Sequence, residues 1–191
     1  MISDEALMLE FQGGSRAAFE ELFARYRKPL YGFFGRRLNN PERAEDFAQE
    51  TFLAVIRAAS RYEPRASVRT YLYGIALKLL AAERRKFLTS TTSGQSAPEP
   101  KTDETSDCVL WVRQALEKLD GTEREILMLR EYEQLSYSDI AELLRIPVNT
   151  VRSKLFRSRL ALKSYLESDA KTNPALRASA AQPHPGRRGM Q

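Results

Sequence analysis

Residues 135–162, LSYSDIAELLRIPVNTVRSKLFRSRLAL, spell two short helices separated by a tight break. Ser136 is a strong N-cap residue, and Asp139 three positions on can return a hydrogen bond to the cap's N–H, so a helix is expected through Leu144 with Ile140, Leu143 and Leu144 on its apolar side. Pro147 has no N–H to donate and a φ already near helical values, which suits the first turn of a second helix. Val148, Val151, Leu155 and Leu162 give that helix one apolar stripe. Its other positions carry Asn149, Thr150, Arg152, Ser153, Lys154, Arg157, Arg159 and Lys163, and no acid occurs between Glu142 and Glu167. A basic amphipathic helix alone signals only a solvated face. Preceded by a short helix and a break, it reads as the second helix of a helix-turn-helix, which lies in the major groove where Arg reads guanine, Asn or Ser reads other base edges, and flanking cations hold phosphates.

The 191-residue chain has room for two small domains, and its net charge of +5 with a pI near 9.4 favours an acidic partner. A single cysteine, Cys108, excludes a disulfide framework and a thiolate zinc site. The opening MISDEALMLEFQGG is acidic and lacks the basic and apolar regions of a signal peptide, and no apolar run is long enough to span a bilayer, so a cytoplasmic protein is expected. From Ala170 the chain is rich in Pro, Gly, Ala and Arg without periodicity and reads as a disordered tail, its Arg187 and Arg188 being solvated charges.

Upstream, residues 15–38 place Phe19, Leu22, Phe23, Tyr26, Leu30, Phe33 and Phe34 at helical spacing around Pro29, a core helix with an expected kink. Asn39, Asn40 and Pro41 break the chain and open a long helix. Phe47, Ala48, Thr51 and Val55 can face its core, while Glu42, Asp46, Gln49, Glu50 and Leu53 gather on another side. That acidic face suits a protein partner or simple solvation. A metal site lacks ligands, since helical di-metal sites use Glu-x-x-His pairs and the only histidine is His184, so neither metal nor cofactor is expected.

A loop through Pro64 leads to a helix capped by Ser67, with Leu72, Ile75, Ala76, Leu79 and Leu80 as its core stripe. Arg61, Tyr62, Arg65, Arg69, Tyr71 and Tyr73 cluster around the loop and first turns, and Lys78 follows. Cations interleaved with rings suit single-stranded nucleic acid, because the cations track the backbone while each ring stacks on a base for about 1–3 kcal/mol. Residues 88–107 are rich in Ser, Thr and Pro and read as a flexible linker. Beyond it, CVLWVRQALEKL and a helix with Ile126, Leu127 and Leu129, capped by Thr122 with Glu125, lead back to the helix-turn-helix. The expected architecture is all-α, with small helical domains at 1–87 and 108–169, the linker between them and a tail at 170–191.

With AEDFAQETFLAVIR, SVRTYLYGIA and the helix-turn-helix in this order around a linker, residues 15 to 165 resemble the extracytoplasmic-function subgroup of bacterial RNA polymerase sigma factors. The resemblance implies that the first domain is region 2 and the second region 4. It implies that the acidic face, with Asp46, Gln49, Glu50 and Leu53, docks on the clamp helices of the largest catalytic subunit of core polymerase, and that region 4 meets the flap. The loop and helix from Arg61 to Tyr73, with Lys78, would hold the melted −10 element, and Arg152, Ser153, Phe156 and Arg157, beside Asn149, Thr150 and Lys154, would read the −35 duplex. An anti-sigma factor is implied as a further partner. The chain departs from the family at Leu77 and Lys78, where Arg-Asn is common, and at Arg145 and Asn149, where glycine is common; a left-handed Arg145 would bear strain of about 1 kcal/mol. No catalytic activity is expected. A free-standing helix-turn-helix regulator would instead bind palindromic duplex without polymerase, and a DNA-processing enzyme built on Glu42, Asp46 and Glu50 would need metal.

Overall fold

The computed structural model describes residues 2–38, 40–90 and 107–172, and all regular structure among them is helical. Two compact units are formed, one from Met1–Lys101 with Arg130–Arg145 and one from Thr102–Leu129 with Ile146–Gln191.

The first unit opens with α1 (Asp4–Gln12), which the sequence reading did not anticipate. Its signals are local: the Ser3 hydroxyl accepts the Ala6 N–H, Asp4 and Glu5 sit in the first turn where the helix dipole favours them, and Gly13 closes it. Helix α2 (Arg16–Leu38) runs through Pro29 and buries Leu22, Tyr26, Leu30, Phe33 and Phe34, as its periodicity requires. Helix α3 (Pro41–Ala58) is opened by Asn40, whose side chain accepts the Arg43 N–H, and buries Ala44, Phe47, Ala48, Thr51, Phe52 and Val55. The Thr51 hydroxyl, fully enclosed, is satisfied by the Phe47 carbonyl at 2.8 Å. After a single 3-10 turn at Ala59–Arg61, helix α4 (Val68–Ser90) begins at Ser67, whose hydroxyl accepts the Thr70 N–H at 3.1 Å. It continues past Leu88, where the linker was expected to start. Helices α1, α2, α3 and α4 pack on one another around a core rich in rings, with Phe33 and Phe34 at its centre and Tyr73 5.2 Å from Phe33.

Helices α5 (Asp107–Glu117), α6 (Gly121–Glu131), α7 (Tyr137–Leu144) and α8 (Val148–Thr172) follow. In the second unit α5 packs on α8, and Ala115, Leu119, Ile126, Leu127, Val151 and Leu155 are buried. The start of α6 corrects one expectation: Asp120, not Thr122, is the cap. Its carboxylate accepts the N–H groups of Thr122 at 3.0 Å and Glu123 at 3.4 Å, which hold its pKa below the ordinary value. Residues 91–106, most of the expected linker, lie outside the described residues, as do His184, Arg187 and Arg188 of the expected tail.

Candidate nucleic-acid interface

The break between α7 and α8 is built as the sequence demands at one end. Ser136 and Asp139 form the full capping box: the Ser136 hydroxyl accepts the Asp139 N–H and the Asp139 carboxylate accepts the Ser136 N–H at 3.0 Å. At the other end Arg145 is left-handed, φ 54° and ψ 46°, and its N–H closes α7 onto the carbonyls of Ala141 and Glu142. The strain expected of a residue with a β-carbon is therefore present. Asn149 needs no such tolerance, since it lies in the first turn of α8. Pro147 stands just ahead of α8, and its carbonyl accepts the Val151 N–H at 3.1 Å.

Along α8 the buried stripe is Val151, Leu155 and Ser158, the last donating its hydroxyl to the Lys154 carbonyl at 2.7 Å. Val148, expected in that stripe, is exposed instead, because it sits in the unsupported first turn. Asn149, Arg152, Ser153 and Arg157 all face solvent, Thr150 and Lys154 are half-buried, and Phe156 is 69% exposed. Local bonds preset part of this surface: Arg152 Nη1 reaches Asn149 Oδ1 at 3.4 Å, and Ser153 Oγ donates to the Thr150 carbonyl at 3.1 Å. An exposed phenyl ring beside cations matches the apolar contact and charge that a major groove offers.

On α3, Asp46, Gln49, Glu50 and Leu53 are exposed, with Ile56 continuing the apolar edge that Leu53 begins. Beside them a groove of about 620 Å³ runs between α2 and α3, lined by Phe23, Tyr31, Ala48 and Phe52 and rimmed by Arg27, Lys28, Glu45 and Gln49. The face is thus acidic in charge, with apolar footholds at Leu53 and Ile56. Among the described residues no three His, Cys, Asp or Glu side chains gather as a metal site.

The cluster after α3 is divided by burial. Arg61, Arg65, Arg69 and Lys78 are exposed and Tyr71 half-exposed, whereas Tyr62 and Tyr73 are buried. The Tyr62 ring meets Tyr71 edge-on at 5.3 Å and its enclosed hydroxyl has no hydrogen-bond partner, so it braces Tyr71 rather than offering a free face. Two α1 residues missed from sequence hold this loop: the Gln12 amide donates to the carbonyls of Tyr62 at 3.1 Å and Ser60 at 3.3 Å, and Glu5 accepts the Val68 N–H at 3.2 Å. Tyr26, enclosed by burial and bonded to Asp4, has its pKa pushed up to about 12.

Within the same unit, residues 130–145 close over α2 and α4. Glu133, 3% exposed, accepts from Arg36 Nη2 at 2.7 Å and lies 3.5 Å from Arg37 Nη1. Burial, reinforced by the Glu133 carboxylate bonded to it, raises the pKa of the Tyr73 hydroxyl. Arg69 Nη1 donates to the Glu133 carbonyl at 3.4 Å, and the Thr70 hydroxyl is among the groups that hold the Asp139 pKa below its ordinary value. Where α7 crosses α4 the approach is close: a β-carbon at Gly74 would lie 3.2 Å from Leu143 Cδ2.

Comparison with known proteins fixes the family. A Sigma-70 region 2 family model matches residues 22–86 and a Sigma-70, region 4 model matches residues 110–162. The chain is 30% identical over 181 residues to the RNA polymerase sigma-H factor of Pseudomonas aeruginosa, spanning 86% of this chain and 94% of that one. This chain belongs to the sigma-70 family, in its extracytoplasmic-function subgroup. It is 32% identical over 161 residues to the sigma factor YlaC of Bacillus subtilis, covering 78% of this chain and 91% of YlaC. The solved structure of CnrH in complex with the cytosolic domain of CnrY superimposes with a TM-score of 0.64 at 25% identity, over 87% of this sigma factor and 98% of CnrH. The sigma factor RpoE of Bartonella quintana shares the fold, with a TM-score of 0.65 at 21% identity, covering 79% and 98% of the two chains. As a sigma factor the chain binds core RNA polymerase and promoter DNA and directs initiation. The acidic face and the basic aromatic loop both fall inside the region 2 match, and the α7–α8 break inside the region 4 match; α1 precedes either.

Proposed function

We propose that this sigma factor divides its work among three surfaces, one for polymerase and two for DNA. Asp46, Gln49, Glu50 and Leu53 on α3 dock on the clamp helices of the largest catalytic subunit, and region 4 meets the flap. Arg61, Arg65, Arg69, Tyr71 and Lys78 follow the single strand of the melted −10 element, with Tyr62 and Tyr73 beneath them. Asn149, Thr150, Arg152, Ser153, Lys154, Phe156 and Arg157 read the −35 duplex. Residues 1–87 and 108–169 are the corresponding functional domains, with α4 running on to Ser90 and α8 to Thr172 beyond those bounds. The observation that carries the reading is α8, whose cations and phenyl ring are turned outward over a buried stripe of Val151, Leu155 and Ser158.

The protein performs no chemistry of its own and works in the cytoplasm; no described helix is long and apolar enough to cross a membrane. Binding energy alone is spent. An anti-sigma factor of the kind bound to the sigma factor RpoE of Bartonella quintana is the natural regulator. The test is transcription in vitro with purified core polymerase, this protein and a pool of promoter fragments. Initiation at defined starts only when the protein is added is the expected result. Tight duplex binding without polymerase, and no directed initiation, would replace the reading with a free-standing regulator.

A further inference from the structure

Resting on the −10 reading given above, we propose that α1 sets the specificity of the −10 loop. Gln12 and Glu5 are its positioning residues: they fix the two ends of residues 60–68, so that Arg61, Arg65, Arg69 and Tyr71 meet the melted strand in one arrangement. The loop leaves one helix end and enters another, and each end carries backbone groups that helical geometry leaves unbonded. At the exit, the 3-10 turn Ala59–Arg61 gives way to extended backbone at Tyr62, φ −65° and ψ 129°. The Gln12 side-chain amide donates to the carbonyls on either side of that change, Ser60 at 3.3 Å and Tyr62 at 3.1 Å. At the entry, the N–H of Val68, the first residue of α4, donates to Glu5 Oε1 at 3.2 Å, an acid at the end of the helix dipole that favours it. Both residues project from one nine-residue helix, so both ends of the loop are referenced to a single piece of structure lying 48 to 63 residues away in the chain.

That piece is anchored elsewhere. Leu7 and Met8 are buried, the Phe11 ring lies 4.8 Å from that of Phe19 on α2, and Asp4 accepts from Arg25 at 2.6 Å and from the Tyr26 hydroxyl. None of these contacts involves the loop, so α1 stays docked when the Gln12 or Glu5 bonds are removed. The loop's own ion pair fixes little: Arg65 meets Glu63 at 2.5 Å, but both side chains are largely exposed. A loop free to repack accommodates right and wrong bases alike, whereas one held beforehand penalises the wrong base. Gln12 and Glu5 also lie ahead of residues 22–86, the stretch matched by the region 2 model.

Full-length variants separate the bonds from the packing. Gln12→Met keeps the side chain's length and removes the donor, and Gln12→Lys restores a donor of similar reach. Glu5→Met and Glu5→Gln do the same for the acceptor. Each is reconstituted with core polymerase, and initiation is measured on a promoter that the wild-type protein uses, carrying every single-base change in its −10 and −35 elements. Both methionine variants should reduce discrimination at the −10 element about three- to tenfold, the effect of one or two lost hydrogen bonds, while −35 discrimination and core-polymerase affinity stay within about twofold. Gln12→Lys and Glu5→Gln should recover most of that loss. Hydrogen exchange of the free protein is the second readout: amides of residues 60–68 should exchange faster in the methionine variants, with α2 and α3 as protected as in the wild type. Unchanged −10 discrimination, or an equal loss at both elements, overturns the specificity role, and unchanged exchange overturns the framing of the loop. If a methionine variant unprotects α2 and α3, Gln12→Glu decides in its place, because it keeps length and polarity while setting an acceptor against the two carbonyls. A wild-type protein that directs no initiation would refute the sigma reading itself, and the exchange result would still decide whether α1 holds the loop.

Discussion

Arg157→Ala separates recognition from folding more sharply than any other single change on α8. In the free protein Arg157 Nε stands 3.9 Å from Glu123 Oε1 with its own side chain 62% exposed, so the pair contributes at most about 0.5 kcal/mol to stability. Removing the guanidinium strands no charge, because Glu123 lies in the first turn of α6 where the helix dipole favours an acid. Against that small term stands a bidentate Arg–guanine contact, worth about 1–3 kcal/mol of discrimination at one base pair. Recognition therefore dominates: the variant should fold normally yet lose roughly 5–150-fold affinity for promoters carrying the preferred base. The assay is binding of the reconstituted holoenzyme to promoters with every single-base change in the −35 element, at two or more salt concentrations. A base contact predicts that Arg157→Ala flattens preference at one position and leaves the salt slope unchanged. Uniform weakening of every promoter, with the log–log slope reduced by about 0.9, would make it a phosphate contact and refute the assignment. Loss of thermal stability beyond about 1 kcal/mol would refute the exposure argument itself.

Three further outcomes follow from the same geometry. Asp46→Ala with Glu50→Ala, both fully on the exposed face of α3, should leave the melting transition unchanged and weaken core-polymerase binding in a competition assay about tenfold or more; equal affinity would reassign that face to solvent. Arg145→Gly should stabilise the protein by about 0.5–1 kcal/mol in denaturant titration, the relief of left-handed strain exceeding the extra freedom glycine gains when unfolded, whereas Arg145→Ala should change little. Burial tends to raise the Asp139 pKa, but hydrogen bonds from Ser136 and Thr70 hold it below the ordinary carboxyl value. A depressed carboxylate stabilises the fold above its unfolded pKa near 4 and loses that contribution as pH falls through the folded value, so Asp139→Asn should destabilise the protein at neutral pH and change its stability least in strong acid. A constant difference across an acid titration would show that the cap does not depend on the charge.

The helices with a dense apolar period were legible because burial is what the period encodes. Phe33, Phe34, Leu30 and Leu22 fall where spacing puts them, as do Ile140, Val151 and Leu155. The capping box at Ser136 and Asp139 was equally readable, since its hydrogen bonds are local. Failures came where two local answers competed or where distant contacts decide. Asp120 and Thr122 are both good caps, and the carboxylate, able to accept two N–H groups at once, prevails. Helix α1 is nine residues long and buries only Leu7 and Met8, so it has no apolar period to announce it and its signal is confined to Ser3, Asp4 and Glu5 at its start. The burial of Tyr73 under Glu133 joins residues 60 positions apart, and nothing in the spacing of either announces it.

That burial also bears on how the DNA contacts add up. Under the proposed assignment, with Tyr62 and Tyr73 enclosed, Tyr71 is the ring left to stack on a base, and the exposed cations Arg61, Arg65 and Lys78 would supply a salt-sensitive attraction to the backbone. One stacked base is worth about 1–3 kcal/mol, far short of a specific promoter complex, and a single recognition helix with two or three base contacts is comparably weak. Selectivity must then come from joining the two: once both modules ride on one polymerase, the second binding event is intramolecular and its effective concentration replaces the missing contacts. It follows that the α3 face, which touches no DNA in this scheme, sets promoter selectivity as strongly as α8 does. Weakening Asp46 and Glu50 should therefore erode discrimination between promoters at limiting polymerase, even though every base-reading residue is intact.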